Sequence, residues 1–157
     1  MRLGKLELKN PFVQAPMAGV TDSPFRTIAR EFHDGLIFTE MISAEALRRE
    51  NPKTMKFLHG LEKQKPVGAQ LVGNDPRGMA EAALIAQGAG ANFIDINAGC
   101  PQLKITRPGS GAALLKRPEG LADIIKAVGD NVSVPISVKL RLGWDRDQSE
   151  NIYQFLQ

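Results

Sequence analysis

The chain has a single cysteine, Cys100, so it cannot form an internal disulfide. A disulfide-free sequence suits a reducing compartment, and the expected location is cytoplasmic. Histidine is as scarce: His33 and His59 stand far apart, without ligand partners near them in sequence. One cysteine and two separated histidines do not compose a zinc site of the usual type, and no metal is expected. No apolar run approaches the ~20 residues that a membrane-spanning helix requires. Residues 1–7 carry charge but no long apolar stretch behind it, which argues against a signal peptide. Internal repeats, low-complexity tracts and Ser/Gly linkers are missing too. The glycine fingerprint of dinucleotide-binding folds, G-x-G-x-x-G, does not follow the first apolar segment. Excess charge is also modest, at +3 overall, too little to imply a nucleic-acid partner by itself.

What is present is an alternation of strand-like and helix-like segments over 157 residues, a length typical of one domain. Residues 3–9 read as a small hairpin and residues 11–16, bounded by prolines, as a first strand. Asp22-Ser23-Pro24 is a helix start, a capping side chain followed by proline where no N–H is needed. Phe25, Ile28, Ala29 and Phe32 then share one helix face. Residues 36–39 form a second strand and residues 43–49 a short helix. Residues 67–72 form a third strand, after which Asn74-Asp75-Pro76 repeats the cap-plus-proline signal. Met79, Ala82, Ala83 and Ala86 mark the buried face of that helix, with a stop at Gly88. Residues 92–97 make a fourth strand. Pro118 opens a helix with Leu121, Ile124, Ile125 and Val128 inward and Gly129 at its end. Residues 136–142 make a fifth strand, and residues 149–157 begin another helix.

Strands alternating with helices predict a parallel α/β fold. Unusual residues recur at every strand end: Met17, Glu40, Gln70, Asn97 with Cys100, and Lys139 with Arg141. That distribution favours a (β/α)8 TIM barrel, whose chemistry sits at the carboxyl ends of many strands, over an open doubly wound sheet. About five of eight strands are present, so the expected domain, residues 1–157, is the N-terminal part of an incomplete barrel.

Three segments carry candidate chemistry. In Asp95-Ile96-Asn97-Ala98-Gly99-Cys100-Pro101, a glycine and a proline shape a turn that presents one thiol at a strand end. Such a thiol is either a small buried hydrophobe or, near pKa ~8.5, a proton donor as well as a nucleophile. In Ile136-Ser137-Val138-Lys139-Leu140-Arg141, alternation places Ser137, Lys139 and Arg141 on one face. That face is either solvated or aimed at a site where Lys139 meets an electron-rich ring or carbonyl and Arg141 a phosphate or base edge. In residues 14–22, small residues and Pro16 allow a flat ring to approach the backbone, with Met17 as a polarizable surface. Gln70 is placed to hydrogen-bond a heterocycle. Residues 97–117 hold four basic residues, Lys104, Arg107, Lys116 and Arg117, and no acidic one. This is either a solvated loop or a phosphate-attracting patch.

Taken together, these segments resemble the tRNA-dihydrouridine synthase family, and its bacterial branch most of all. The resemblance runs in order through Ala15-Pro16-Met17-Ala18-Gly19-Val20-Thr21-Asp22, Thr39-Glu40-Met41, Gln70-Leu71-Val72-Gly73, Asp95-Ile96-Asn97-Ala98-Gly99-Cys100-Pro101, Gly109-Ser110-Gly111-Ala112-Ala113-Leu114-Leu115 and Val138-Lys139-Leu140-Arg141-Leu142-Gly143-Trp144. It implies an FMN-binding barrel followed by a helical tRNA-binding domain. The implied reaction reduces a tRNA uridine to 5,6-dihydrouridine, with NADPH re-reducing the flavin. Cys100 would be the general acid, and Asn97 would hold the flipped uracil with Arg141 on the substrate side. Ala15, Pro16, Met17, Gln70 and Lys139 would contact the flavin, while Lys104 and Arg107 would meet tRNA. The later barrel strands and the helical domain lie outside these residues, so this chain alone is expected neither to hold FMN tightly nor to turn over. Rival readings are a small-molecule FMN barrel reductase of the dihydroorotate or enoate type, and a non-catalytic RNA-binding fragment.

Overall fold

The computed structural model describes residues 1–144. The helix expected at residues 149–157 falls outside the described residues.

A short hairpin opens the chain: β1 (Arg2–Leu3) pairs antiparallel with β2 (Leu6–Glu7). Helix α1 (Ser23–Phe32) follows, its first turn closed by Asp22, whose carboxylate accepts from the Phe25 N–H at 2.9 Å. Next come β3 (Ile37–Ser43), α2 (Ala44–Arg48), α3 (Pro52–Met55) and two 3-10 turns. The rest runs β4 (Val67–Val72), α4 (Pro76–Gly88), β5 (Phe93–Ala98), α5 (Leu103–Thr106), a 3-10 stretch (Gly111–Lys116), α6 (Pro118–Asn131) and β6 (Ile136–Leu140).

Strands β3, β4, β5 and β6 lie side by side in chain order, all parallel. Parallel neighbours need a crossover, and α2, α4 and α6 supply it along the outer face. Between sheet and helices lies the main core. Ile42, Leu71, Ile94 and Ile96 meet Leu47, Met79, Ala82, Ala86, Leu121 and Ile124, all completely shielded or nearly so. Alanines on α4 let it approach the sheet and α6 closely. The buried faces expected for α4 and α6 are thus present, although α6 continues two residues past Gly129.

The inner face of the sheet has two tiers. At the amino ends of the strands, Phe38 and Phe93 meet edge to face, with centroids 5.9 Å apart. Leu8, Leu36 and the β1–β2 hairpin close over them. Gly68 lies under this pair: a Cβ there would stand 2.3 Å from the Phe38 ring, so only glycine fits. The tier at the carboxyl ends is polar.

Two expectations need correction. The first strand, at residues 11–16, shrinks to a single parallel bridge between Val13 and Leu36. Prolines at both ends withhold N–H groups, and the Phe38 N–H donates to the Gln14 side chain rather than to its backbone. In α1, Phe25, Ile28, Ala29 and Phe32 do share a face, yet Ile28 and Phe32 are 61% and 84% exposed. The fully buried residue is Arg26, whose guanidinium donates to Gln64 Oε1 and to the carbonyls of Thr21, Phe57 and His59. A buried cation is tolerated where acceptors saturate its fork of donors, and these outweigh the apolar pattern in setting how the helix sits. Arg30 adds hydrogen bonds to the carbonyls of Gln64, Pro66 and Gly35.

Candidate active site

The polar tier is built from alternate residues of adjacent strands. Register sets Gln70 opposite Asp95, Asp95 opposite Ser137, and Asn97 opposite Lys139. Alternation turns these side chains away from the helices and into the interior. Asp95 accepts from Gln70 Nε2 at 2.6 Å and from Ser137 Oγ at 2.5 Å. Gln70 Oε1 accepts in turn from Asn97 Nδ2 at 3.0 Å. Asn97 Oδ1 closes the chain, accepting from the N–H groups of Gly99 and Cys100 at 3.2 and 2.9 Å. Gln70, Asp95 and Asn97 are all buried, and each hydrogen bond offsets a desolvation cost that an unpaired group would carry. Burial pushes the Asp95 carboxyl above the ordinary carboxylate range. The hydrogen bonds from Gln70 and Ser137 and the charge of Lys139 pull the other way.

Above this floor lies a cleft of about 250 Å³ between the strand ends. Gln70, Asn97, Cys100, Lys139 and Arg141 line it, together with Pro16, Ala18 and Met41. A second, more apolar cleft below it shares Pro16 and Lys139 and adds Ala15, Phe38 and Phe93. Cys100 is free and half-buried. Its loop is held by the Asn97 cap and by the Ala112 N–H, which donates to the Cys100 carbonyl at 3.0 Å. Gly111 makes that approach feasible: its φ is +60°, and a Cβ would stand 2.8 Å from the same carbonyl oxygen.

Of the residues singled out in the sequence, Pro16, Gln70, Asn97, Cys100, Lys139 and Arg141 thus converge on one cleft, and Ala15 lines the adjoining one. Met17 lines neither. It is 40% exposed and opens the turn in which Val20 and Thr21 donate to its carbonyl. Lys104 and Arg107 lie on and just after α5, exposed, and line neither cleft. Asp95, Ser137 and Glu40 were given no role from sequence. Glu40 Oε1 accepts from the Gly19 N–H at 2.5 Å and so ties the loop of residues 17–21 to β3. The signal for Asp95 was its position two residues before Asn97, hence on the same face of the strand. Among the described residues no cluster of side chains could hold a metal ion, and no helix is long and apolar enough to cross a membrane.

A parallel sheet with helices outside, an apolar lower interior and polar residues at the carboxyl ends of its strands is the architecture of part of a (β/α)8 barrel. In fold it is similar to the solved histamine dehydrogenase from Rhizobium sp. 4-9, with a TM-score of 0.65 at 17% identity, covering 99% of this chain and 34% of that one. The dihydrouridine synthase family model matches residues 13–157, and the chain belongs to that family. It is 40% identical over 147 residues to tRNA-dihydrouridine synthase B of Vibrio cholerae, covering 94% of this chain and 46% of the relative. It is 44% identical over 147 residues to a probable tRNA-dihydrouridine synthase of Rhodobacter capsulatus, covering 93% and 45%. The chain therefore spans about half the length of the curated relatives it matches.

Proposed function

We propose that this chain forms the pocket-bearing part of a cytoplasmic, flavin-dependent oxidoreductase that reduces uridine in tRNA to 5,6-dihydrouridine, with NADPH as the reductant. The reading rests on one observation: a half-buried thiol shares a cleft with Lys139, Arg141 and two buried amides, in a chain of this family.

The donor set fits FMN. Lys139, Arg141 and the amides of Gln70 and Asn97 supply N–H groups, and Pro16 and Ala18 add apolar surface. A flat ring with carbonyl oxygens along one edge suits both. Ala15, Pro16, Gln70 and Lys139 would hold it. A flavin held there would supply the hydride needed at carbon 6 of the uracil, with NADPH as its reductant.

The remaining work falls to side chains of this chain. Asn97 and Arg141 orient the base by hydrogen bonds to its edge. Cys100 delivers a proton to carbon 5, where the added hydride leaves excess electron density. A uracil reaches such a cleft only when unstacked and turned out of the RNA. Lys104 and Arg107, exposed on the segment after Cys100, attract the phosphates that accompany it.

The test is Cys100→Ala in the full-length enzyme. Dihydrouridine formation is expected to fall by ~10²–10⁴, the usual worth of a positioned general acid, while flavin absorbance per protein persists. Undiminished turnover in that variant would refute the acid role.

A further inference from the structure

Four polar side chains on the inner face form a chain of hydrogen bonds with a defined direction. It runs from Ser137 through Asp95, Gln70 and Asn97 to the backbone of Gly99 and Cys100. An amide side chain can stand either way round, since its oxygen and nitrogen occupy nearly the same volume. Here two fixed points remove that freedom. At one end, Asp95 offers only acceptors when ionised, so Gln70 must turn its NH2 toward it. Gln70 Oε1 then faces Asn97, which must present its own NH2. At the other end, the N–H groups of Gly99 and Cys100 only donate, so Asn97 must turn its oxygen to them. Both ends demand the same arrangement. Were Asn97 reversed, its NH2 would oppose two N–H donors and the loop bearing Cys100 would lose its cap.

We infer that Asp95, steadied by Ser137, is a positioning residue: it sets the direction of the Gln70 and Asn97 amides and through them the placement of the Cys100 loop. Asp95 and Ser137 do not line the cleft that holds Cys100; they line the more apolar cleft below it. Its use to catalysis rests on the flavin and Cys100 reading above. The geometric claim does not.

Orientation and charge make different predictions for substitutions. Asp95→Ala removes the acceptor and leaves the N–H groups of Gly99 and Cys100 alone to hold the direction of both amides. Asp95→Asn keeps the arrangement, because its oxygen accepts from Gln70 while its NH2 donates to Ser137 Oγ. Ser137→Ala alone changes little, since a carboxylate has no wrong way round. Asp95→Asn combined with Ser137→Ala loses the partner that tells the new amide which way to stand.

The measurement is the alkylation rate of Cys100 by iodoacetamide in the full chain, read by mass spectrometry on the Cys100-bearing peptide. Asp95→Ala is expected to quicken it about fivefold, the factor equivalent to the ~1 kcal/mol of one lost hydrogen bond. Either conservative single variant should stay within about twofold of the parent, and the double variant should move toward Asp95→Ala, a coupling that independent sites lack. If Asp95→Asn is as altered as Asp95→Ala, charge rather than direction is at work and the inference fails. It fails equally if the double variant matches Asp95→Asn. Should Asp95→Ala not fold, the double variant carries the test alone. Titration with FMN, followed by visible absorbance, runs in parallel. Absence of binding to the full-length enzyme would overturn the flavin reading and leave the alkylation order standing.

Discussion

The two tiers of the inner face belong to the same strands yet behave as different materials. At the amino ends, Phe38, Phe93, Leu36 and Leu8 pack over Gly68 with no polar side chain among them. Two to four residues further along, β4 and β5 carry Gln70, Asp95 and Asn97 in a connected polar set, with Lys139 of β6 opposite Asn97. The lower tier is stabilised by apolar burial, which tolerates little change of volume. The upper tier is stabilised by mutual satisfaction of donors and acceptors, which tolerates little change of direction. One β-sheet therefore presents an apolar surface at one end and a polar, directional one at the other.

Substitutions should separate the tiers. Phe93→Ala is expected to act hardest, lowering unfolding stability by ~3–5 kcal/mol, as seen when a buried aromatic ring is removed. Urea denaturation checks this, and a loss below the usual range would mean that the lower tier is loosely packed. Gly68→Ala comes next, at ~1–3 kcal/mol, because its methyl must displace the Phe38 ring. The rim should respond otherwise. In the full-length enzyme, Lys104→Ala with Arg107→Ala is expected to leave urea midpoints alone and to reduce the salt slope of tRNA binding by roughly two, one per lost phosphate contact. An unchanged slope would remove those residues from the RNA path.

Smallest is the effect of Asp95→Asn on stability, and its sign is specific. Burial raises the Asp95 carboxyl, so the folded chain holds that proton more tightly than the unfolded chain does. Stability from this group is therefore greatest in acid and is lost as pH rises from the ordinary carboxylate range through the raised value. The variant lacks that loss. Urea midpoints measured across this interval should favour it increasingly with pH and converge with the parent in acid. A reversed trend would mean that the hydrogen bonds and Lys139 outweigh burial.

Much of this architecture was legible in the residues. The run of residues 67–72 matched β4 to the residue, and cap-plus-proline signals located the starts of α1 and α4, because both depend only on local chemistry. The spacing of Met79, Ala82, Ala83 and Ala86 also told which way α4 faces. Spacing failed on α1, where the long-range partners of Arg26 decide what is buried and no local pattern reports them. Within the site, single residues at strand ends were readable one by one. Their wiring was not: that Asp95 grips Gln70 and Ser137 depends on the register of three strands. β3 shows the same limit. Its register with β4 shifts between Phe38 and Met41, and Thr39 Oγ1 accepts from the Gln70 N–H at 3.1 Å across that irregularity.

One contact at the rim turns the molecule into its own reporter. The ammonium of Lys116 sits 3.9 Å from the ring centre of Trp144, the sole tryptophan of the chain. Lys116 closes the segment that begins at Cys100, and Trp144 lies three residues beyond Arg141, so the pair bridges the two flanks of the cleft. Indole emission is sensitive to a neighbouring cation, and its intensity becomes an optical ruler for the gap between those flanks, readable without any added label.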